Sequence, residues 1–406
     1  MQKKGVSLPE ARRQNRVQIK ELIYKKGPIT RTEVARRLGL TLPTITTSAQ
    51  EMLAEGSLLE RENDGKDEPN PRGGRKPLYL DVNPSAGYVI GLELGPYRTT
   101  LCLTDLRGNT IHKRLFAPVS RDYDEMVATV TRQVSDLLQK EDVPQDKFLG
   151  VGVSLPGFIE SEKGVIRSSM RTGWNGKALG PDLQKSLGCP VLLENNVRVR
   201  AIGVEMFSSV PRPDTFAYYF VSKGIACSLM IQNDIFSGKT AGAGEVGHMV
   251  VQPYGPVCET CHNRGCLEAL AGENAILRQC ASVMENVSAE TLKSLSDDEE
   301  DAKLEYLLKL QRENNPLVSA VMDNVVFHLG LALANIINFI SPRLVLVEGH
   351  LMRNEQNRER LLKVTHQNLF GLNETEVDIE FMPFDQFSGA NGSAALVVKK
   401  KFIHNA

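Results

Sequence analysis

The sequence predicts an α/β protein: a small helical head closed by two strands, then a larger body of two successive strand-and-helix units separated by a cleft. Three observations carry that prediction. Residues 1–50 hold eleven Lys and Arg against three Glu, a charge of +8, while the 406-residue chain sums to −1 and the remainder therefore to −9. After residue 85, runs of strand character followed by helical periodicity occur in two successive sets, as expected of two packed α/β units. His248, Cys258, Cys261 and Cys266 stand together in one loop, with nine, two and four residues between successive members.

Composition narrows the class. With 41% hydrophobic and 24% charged residues, the chain is an ordinary globular protein, long enough for two or three domains. The N-terminus has no signal-type apolar core. The longest uncharged apolar run, Val325–Ser341, is short for a membrane span and carries His328, Asn335 and Asn338, so it reads as a buried helix. Seven cysteines, an odd number, without a secretory signal fit a reduced cytoplasm and no membrane partner.

In the head, Val17, Ile19, Leu22 and Ile23 predict a helix over Asn15–Lys25, stopped by Gly27 and Pro28. Thr30 with Glu33 forms a capping-box pattern for a helix over Arg31–Leu38. Gly39 suits a left-handed turn. Thr41 and Pro43 then open a helix over Leu42–Ala54, with Ile45, Met52 and Leu53 inward and Thr44, Thr46, Thr47, Ser48 and Gln50 outward. A polar second helix after such a turn is the arrangement that enters a DNA major groove. Strands at Leu58–Glu62 and Leu78–Val82 flank the Gly- and Pro-rich stretch 63–77, which reads as a wing. The head is therefore a winged helix-turn-helix facing a double-stranded DNA operator. Arg31, Thr44, Thr46, Thr47 and Gln50 are its candidate contacts, with Arg72, Arg75 and Lys76 reaching a minor groove from the wing. A solvated basic face and a linker are the plainer readings.

In the body, strands at Tyr88–Leu94 and Thr99–Thr104 and a turn at Asp105–Asn109 make a meander, followed by a helix over Asp124–Lys140 and strands at Phe148–Ser154 and Val191–Leu193. A helix over Val197–Phe207 separates these from strands at Phe216–Ser222, Cys227–Ile231 and Asp234–Phe236. A helix over Leu317–Ile340, a strand at Leu344–Val347 and a helix from Ser388 close the second set. The charged segment 286–315 reads as a solvated helical excursion.

Three thiols and an imidazole at this spacing are ligands for a closed, structural zinc: His248, Cys258, Cys261 and Cys266, with His262 as a competing donor. Ordinary reduced cysteines are the alternative. Glu245 and Glu268 bracket the loop.

These motifs have a family resemblance. Gly244-Glu245-Val246-Gly247-His248, the cysteine loop ending Gly265-Cys266-Leu267-Glu268, Ser154-Leu155-Pro156-Gly157 and a basic head ending Gly73-Gly74-Arg75-Lys76-Pro77 resemble the ROK family (repressors, open reading frames, kinases), and most closely its repressor branch. The resemblance spans nearly the whole chain. It implies two ribonuclease-H-like halves of actin/hexokinase type. The expected division is a head at 1–82, a first half at 83–195 with the C-terminal helix 388–406 packed on it, and a second half at 196–387 carrying the zinc loop. It also implies a sugar or sugar-phosphate ligand held by Asn195, Asn196, Glu245, His248 and Glu268, and a homodimer or dimer of dimers. Compared with the family's usual Cys-x-Cys-Gly, one residue is added between Cys258 and Cys261, and His262 replaces the glycine.

Other departures bear on activity. The family's catalytic aspartate is Asn196 here, and an amide cannot act as general base. The phosphate loops carry Glu93, Ala226, Ser228 and Glu348 where the family has other residues, mostly glycine. Sugar contacts survive and nucleotide contacts do not. The expected function is a sugar-responsive transcriptional repressor without kinase activity. The alternative is a sugar kinase with a DNA-binding appendage, and a third reading is a regulator that answers to a protein partner.

Overall fold

Ser7 starts the first helix, α1 (Leu8–Lys26): its hydroxyl accepts from the Glu10 amide, Pro9 occupies the first turn, and Gly27 ends it. The computed structural model describes residues 7–62, 77–95, 97–169, 172–284, 290–292, 294, 300–372 and 375–404. α1 begins seven residues before the expected Asn15, because Leu8–Gln14 has helix caps but little apolar periodicity. α2 (Arg31–Leu38) is capped by the Thr30 hydroxyl and ends at Gly39, which takes φ 63°. The capping box is half formed, since the Glu33 carboxylate turns to Arg36 and Arg37. α3 (Leu42–Ala54) is capped by Thr41. Ser48, expected outward, is buried; it lies on the stripe through Ile45 and Met52. β1 (Ile29–Thr30), β2 (Leu58–Glu62) and β3 (Leu78–Val82) form an antiparallel sheet in the order β1-β3-β2. The hairpin of the wing is therefore present, while Arg72, Arg75 and Lys76 lie outside the described residues.

The body repeats one topology. β4 (Tyr88–Leu94), β5 (Thr99–Asp105) and β6 (Thr110–Phe116) run as an antiparallel meander. β7 (Phe148–Leu155) adds parallel to β4, and β10 (Val191–Asn195) parallel to β7, giving the order β10-β7-β4-β5-β6. β11 (Phe216–Val221), β12 (Ile225–Ile231) and β13 (Asp234–Ile235) repeat the meander. β14 (Leu344–Gly349) and β15 (Asp378–Met382) then add in parallel, giving β13-β12-β11-β14-β15. A small hairpin, β8 (Phe158–Glu160) with β9 (Val165–Ser168), projects beside the first sheet. β8, β9, β15 and the helices α5 (Leu179–Leu187) and Glu355–Gln367 were not expected from the sequence.

The helix α4 (Tyr123–Lys140) covers one face of the first sheet through Met126, Val130, Val134 and Leu137. The second sheet packs on the helix Pro316–Ile340. That helix is long and apolar enough to cross a membrane by length and composition, but Met322, Val325, Val326, Leu329 and Leu333 are fully buried in the second core. The excursion at 286–315 is only partly solvated. Its helix Glu300–Arg312 buries Leu304, Leu307, Leu308 and Gln311, and the Gln311 amide is held by Asn354 and Asn357.

Two helices lie between the sheets, α6 (Asn196–Phe207) and Ser388–Val397. They pack closely at two glycines: a Cβ on Gly203 would meet the Gly392 backbone, and one on Gly392 would meet the backbone of Val199 and Arg200. The core of the head is continuous with this layer, running through Val82, Val89 and Leu106 to Ile202, Met206 and Phe402. Polar contacts fasten the same joint. The Tyr24 hydroxyl donates to the Leu106 carbonyl at 2.6 Å, Arg107 grips Asp81 and the Tyr24 carbonyl, and Lys20 donates to the Phe402 carbonyl at 3.0 Å. Burial lowers the Lys20 ammonium to about 8, with Arg16 adding to the effect and Glu55 opposing it.

Candidate functional site

The strands of both sheets end at one cleft, as in open α/β folds where ligands gather at strand carboxyl ends. β4 delivers Glu93, β10 delivers Asn195, and β14 delivers Glu348. The cleft holds a cavity of about 770 Å³, lined by Glu93, Asn195, Asn196, Glu245, His248 and Glu268 among others. All five sugar-site residues expected from the sequence therefore face one space.

Asn195 is largely committed to structure. Its Oδ1 caps α6 by accepting from the Val197 and Arg198 amides at 2.9 and 3.3 Å, and its Nδ2 donates to the Gly157 carbonyl at 3.0 Å. One N–H remains for a ligand. Asn196 Nδ2 donates to Glu93 Oε1 at 3.2 Å. Glu245 follows Gly244, whose φ of 96° and close approach to the Cys227 carbonyl exclude a side chain there. Burial pushes the Glu245 carboxyl up; His248 and Arg198 oppose that and Glu268 adds to it.

Two buried arginines organise the cleft, and sequence reasoning assigned neither. Arg198 pairs with Glu194 at 3.2 Å and donates to the Ala241 carbonyl at 2.7 Å, tying the start of α6 to the loop that leads into Glu245. Arg200 holds Glu93 through both oxygens at 2.9 and 3.0 Å, and its Nε lies 3.4 Å from Glu348. Burial alone would lower the Arg200 pKa, but Glu93 and Glu348 raise it, so the guanidinium stays charged. Tyr218 and Ser388 donate to Glu348 at 2.6 and 2.9 Å. The carboxylates of Glu93 and Glu348 thus converge on one internal cation.

Behind the cavity, one nitrogen or sulphur from each of His248, Cys258, Cys261 and Cys266 lies within 4.8 Å of all the others. Cys258 Sγ is 3.7 Å from His248 Nδ1, and Cys261 Sγ is 3.5 Å from Cys266 Sγ. Tetrahedral bonds of about 2.3 Å to sulphur set sulphur–sulphur edges of about 3.8 Å, so the cluster fits a small tetrahedral cation. Burial pushes the Cys258 thiol up and the Cys266 thiol up to about 12. Cys261 falls below its ordinary value: burial works against it, but the Asn263 amide and the neighbouring thiols outweigh burial. His262 is exposed, takes φ 63° and stands outside the cluster.

On the head, Thr47 and Gln50 are exposed on the open face of α3, while Thr44 and Thr46 are half-buried and Thr44 bonds the Thr41 hydroxyl at 2.9 Å. Arg31 is engaged by Glu60 at 2.5 Å.

Known proteins agree with this architecture. A putative xylose repressor of Caldicellulosiruptor sp. (strain Rt8B.4) is 24% identical over 387 residues, covering 95% of each chain. The xylose repressor of Bacillus subtilis is 26% identical over 337 residues, covering 82% of this chain and 81% of its own. The crystal structure of a ROK family transcriptional regulator, a homologue of the E. coli MLC protein, superposes with a TM-score of 0.81 at 22% identity, covering 97% of both chains. The family model for ROK matches residues 89–400, so most of the chain is accounted for, and this protein belongs to the ROK family.

Proposed function

We propose that this protein is a cytoplasmic DNA-binding transcriptional repressor whose grip on its operator is set by a sugar or sugar phosphate in the cleft, with a structural zinc shaping that site. One observation carries the coupling. α6 begins in the cavity at its cap Asn195 and ends against the head, where the buried carboxylate of Glu205 meets Lys25 of α1 at 2.8 Å and Lys399 at 3.3 Å. A ligand that favours one angle between the halves moves this helix, and the head follows. In a homodimer, that changes the spacing of two recognition helices that must meet half-sites about one helical turn, roughly 34 Å, apart or a multiple of it.

The sugar would lie among Glu245, His248, Glu268 and the remaining N–H of Asn195, with carboxylates accepting from hydroxyls. Zinc, when bound, supplies a fixed tetrahedral anchor to the loop. His248 would ligate through one ring nitrogen and present the other to the sugar. Phosphoryl transfer is not expected. Asn196 cannot take a proton from an attacking hydroxyl, and Glu93 and Glu348 fill the phosphate path with negative charge held by Arg200.

The test uses full-length protein on duplexes selected from a random pool. D-xylose, D-glucose, N-acetylglucosamine and their 6-phosphates, where they exist, are then titrated against the complex. One of them should release the DNA without ATP. Sugar-dependent ATP hydrolysis by the wild type, or by Asn196→Asp, is the result that favours the kinase reading.

A separate expectation concerns base reading. DNA affinity should fall steeply with salt, because Lys and Arg displace counterions from phosphate. Thr47→Ala and Gln50→Ala should each change preference at one base position by about 1–3 kcal/mol. Uniform weakening across all sequences would move these side chains to the phosphates.

A further inference from the structure

The residue added to the cysteine loop acquires a role in the cleft. Cys258-Glu259-Thr260-Cys261 has one residue more between its thiols than the pattern this loop otherwise resembles. The longer turn brings Thr260 over the start of the helix Leu267–Ala271, where its hydroxyl donates to Glu268 Oε1 at 2.6 Å. Its backbone amide lies beside the Cys258 sulphur. Thr260 is thus fastened to the metal loop by its main chain and to a cavity carboxylate by its side chain. Thr260 and Glu268 both line the main cavity and also an outer pocket of about 250 Å³ beside it, with Tyr97 and Lys223 completing the neck between the two spaces. Lys223 Nζ sits 3.1 Å from the centre of the Tyr97 ring, a contact that crosses the cleft at the same neck.

We infer that Thr260 is a positioning residue that sets effector selectivity by orienting the Glu268 carboxylate and occupying one of its acceptor sites. This rests on the sugar-site reading above. A carboxylate offers about four lone-pair sites on two oxygens, and two neighbouring sugar hydroxyls can use both oxygens when the group is unconstrained. With Thr260 on Oε1, one face of the group is spent and its plane is fixed. Glu268 then addresses one particular hydroxyl rather than any adjacent pair. A hydrogen bond to a charged group is among the stronger ones, so its loss is measurable in binding.

The experiment compares wild type, Thr260→Val and Thr260→Ser by calorimetric titration with D-xylose, D-glucose and N-acetylglucosamine, and with the monodeoxy analogues of whichever sugar the wild type binds. Metal content is measured on each protein. Thr260→Val should keep its zinc and bind that sugar about tenfold more weakly, and Thr260→Ser should restore most of the affinity. The loss should be coupled to one hydroxyl: against the deoxy sugar that lacks it, wild type and Thr260→Val should bind alike. Thr260→Ala repeats the comparison where the valine variant does not fold. Equal affinity of Thr260→Val and wild type for every sugar overturns the inference while leaving the sugar site standing. Loss of zinc together with affinity also overturns it, because the residue then serves only the metal loop. A wild type that binds none of the sugars overturns this inference and the sugar reading together.

Discussion

Cys258→Ser and Cys266→Ser are expected to yield protein without zinc and with a melting temperature lower by about 10 °C, a loss on the order of 3–5 kcal/mol. Both side chains are buried, at 1% and 0% exposure. Burial disfavours both free thiolates, and metal binding is coupled to ordering of the loop because the ligands come together only in the folded chain. The damage does not stop at the loop. Cys266 stands immediately before the helix that carries Glu268, and its backbone bridges to Val250, just beyond His248. Metal loss is therefore expected to loosen both ends of the proposed sugar site. Zinc in finger peptides supplies about 10–16 kcal/mol of apparent binding energy. Only part appears here, because the loop also has its own backbone bonds, such as Cys258 N to the Asn263 carbonyl at 2.8 Å. Cys189→Ser, outside the cluster, should keep the metal, and so should His262→Ala. Elemental analysis with a thermal melt decides the matter: a metal-free Cys266→Ser with an unchanged melting temperature refutes the structural role.

What the sequence revealed follows the range of the physics involved. The second and third helices of the head were legible to the residue, because Thr30, Gly39, Thr41 and Pro43 act within one turn of their own position. The metal cluster was legible for the same reason, since its ligands span one loop. The first two turns of α1 were not, because Arg12, Arg13 and Gln14 carry no apolar stripe. β15 was missed although its charged and apolar residues alternate as in a half-buried edge strand, with Asp378 and Glu380 exposed; the run is only five residues long. The segment around the helix Glu300–Arg312 was read as helical but solvated, because the acidic run before it masked the buried stripe of Leu304, Leu307 and Leu308. The harder cases are those whose partners lie far along the chain. Arg200 meets Glu93 across 107 residues, and nothing local to either announces the pair. Asn195 was read as a sugar contact, yet its amide mainly caps a helix, a role its position before Asn196–Phe207 allowed. Thr260 was passed over because a loop threonine has no pattern until its partner is known.

Glu205→Gln should break the response to sugar while leaving sugar binding in place. α6 is 12 residues long, about 18 Å of helix, with its cap in the cavity and Glu205 in its last turn. The side chain of Glu205 is 3% exposed and is shared between Lys25 and Lys399. Removing its charge leaves two ammonium groups facing a neutral amide, a change that costs about 3–5 kcal/mol when a buried pair loses one partner. The lower end applies here. Lys25 keeps Glu21 at 2.9 Å, and Lys399 keeps Asp234 at 3.8 Å. Coupling between sites in regulated proteins is typically about 1–3 kcal/mol, or roughly 5–150-fold in affinity. A joint weakened by that much cannot pass it on, so the ratio of DNA affinities without and with sugar should fall close to one. Destabilisation alone would lower the melting temperature without changing that ratio in the folded fraction. A triple variant separates the two effects. Glu205→Leu with Lys25→Met and Lys399→Met replaces the buried charges by apolar groups, so it should recover stability. It should still fail to respond, because the Lys25–Glu205 link between α6 and the head is gone. Arg12→Ala, on the solvent side of the head where Arg12 pairs with Glu51 at 2.5 Å, should leave the ratio untouched. If Glu205→Gln releases DNA at the same sugar concentration and by the same factor as the wild type, the signal reaches the head by another route.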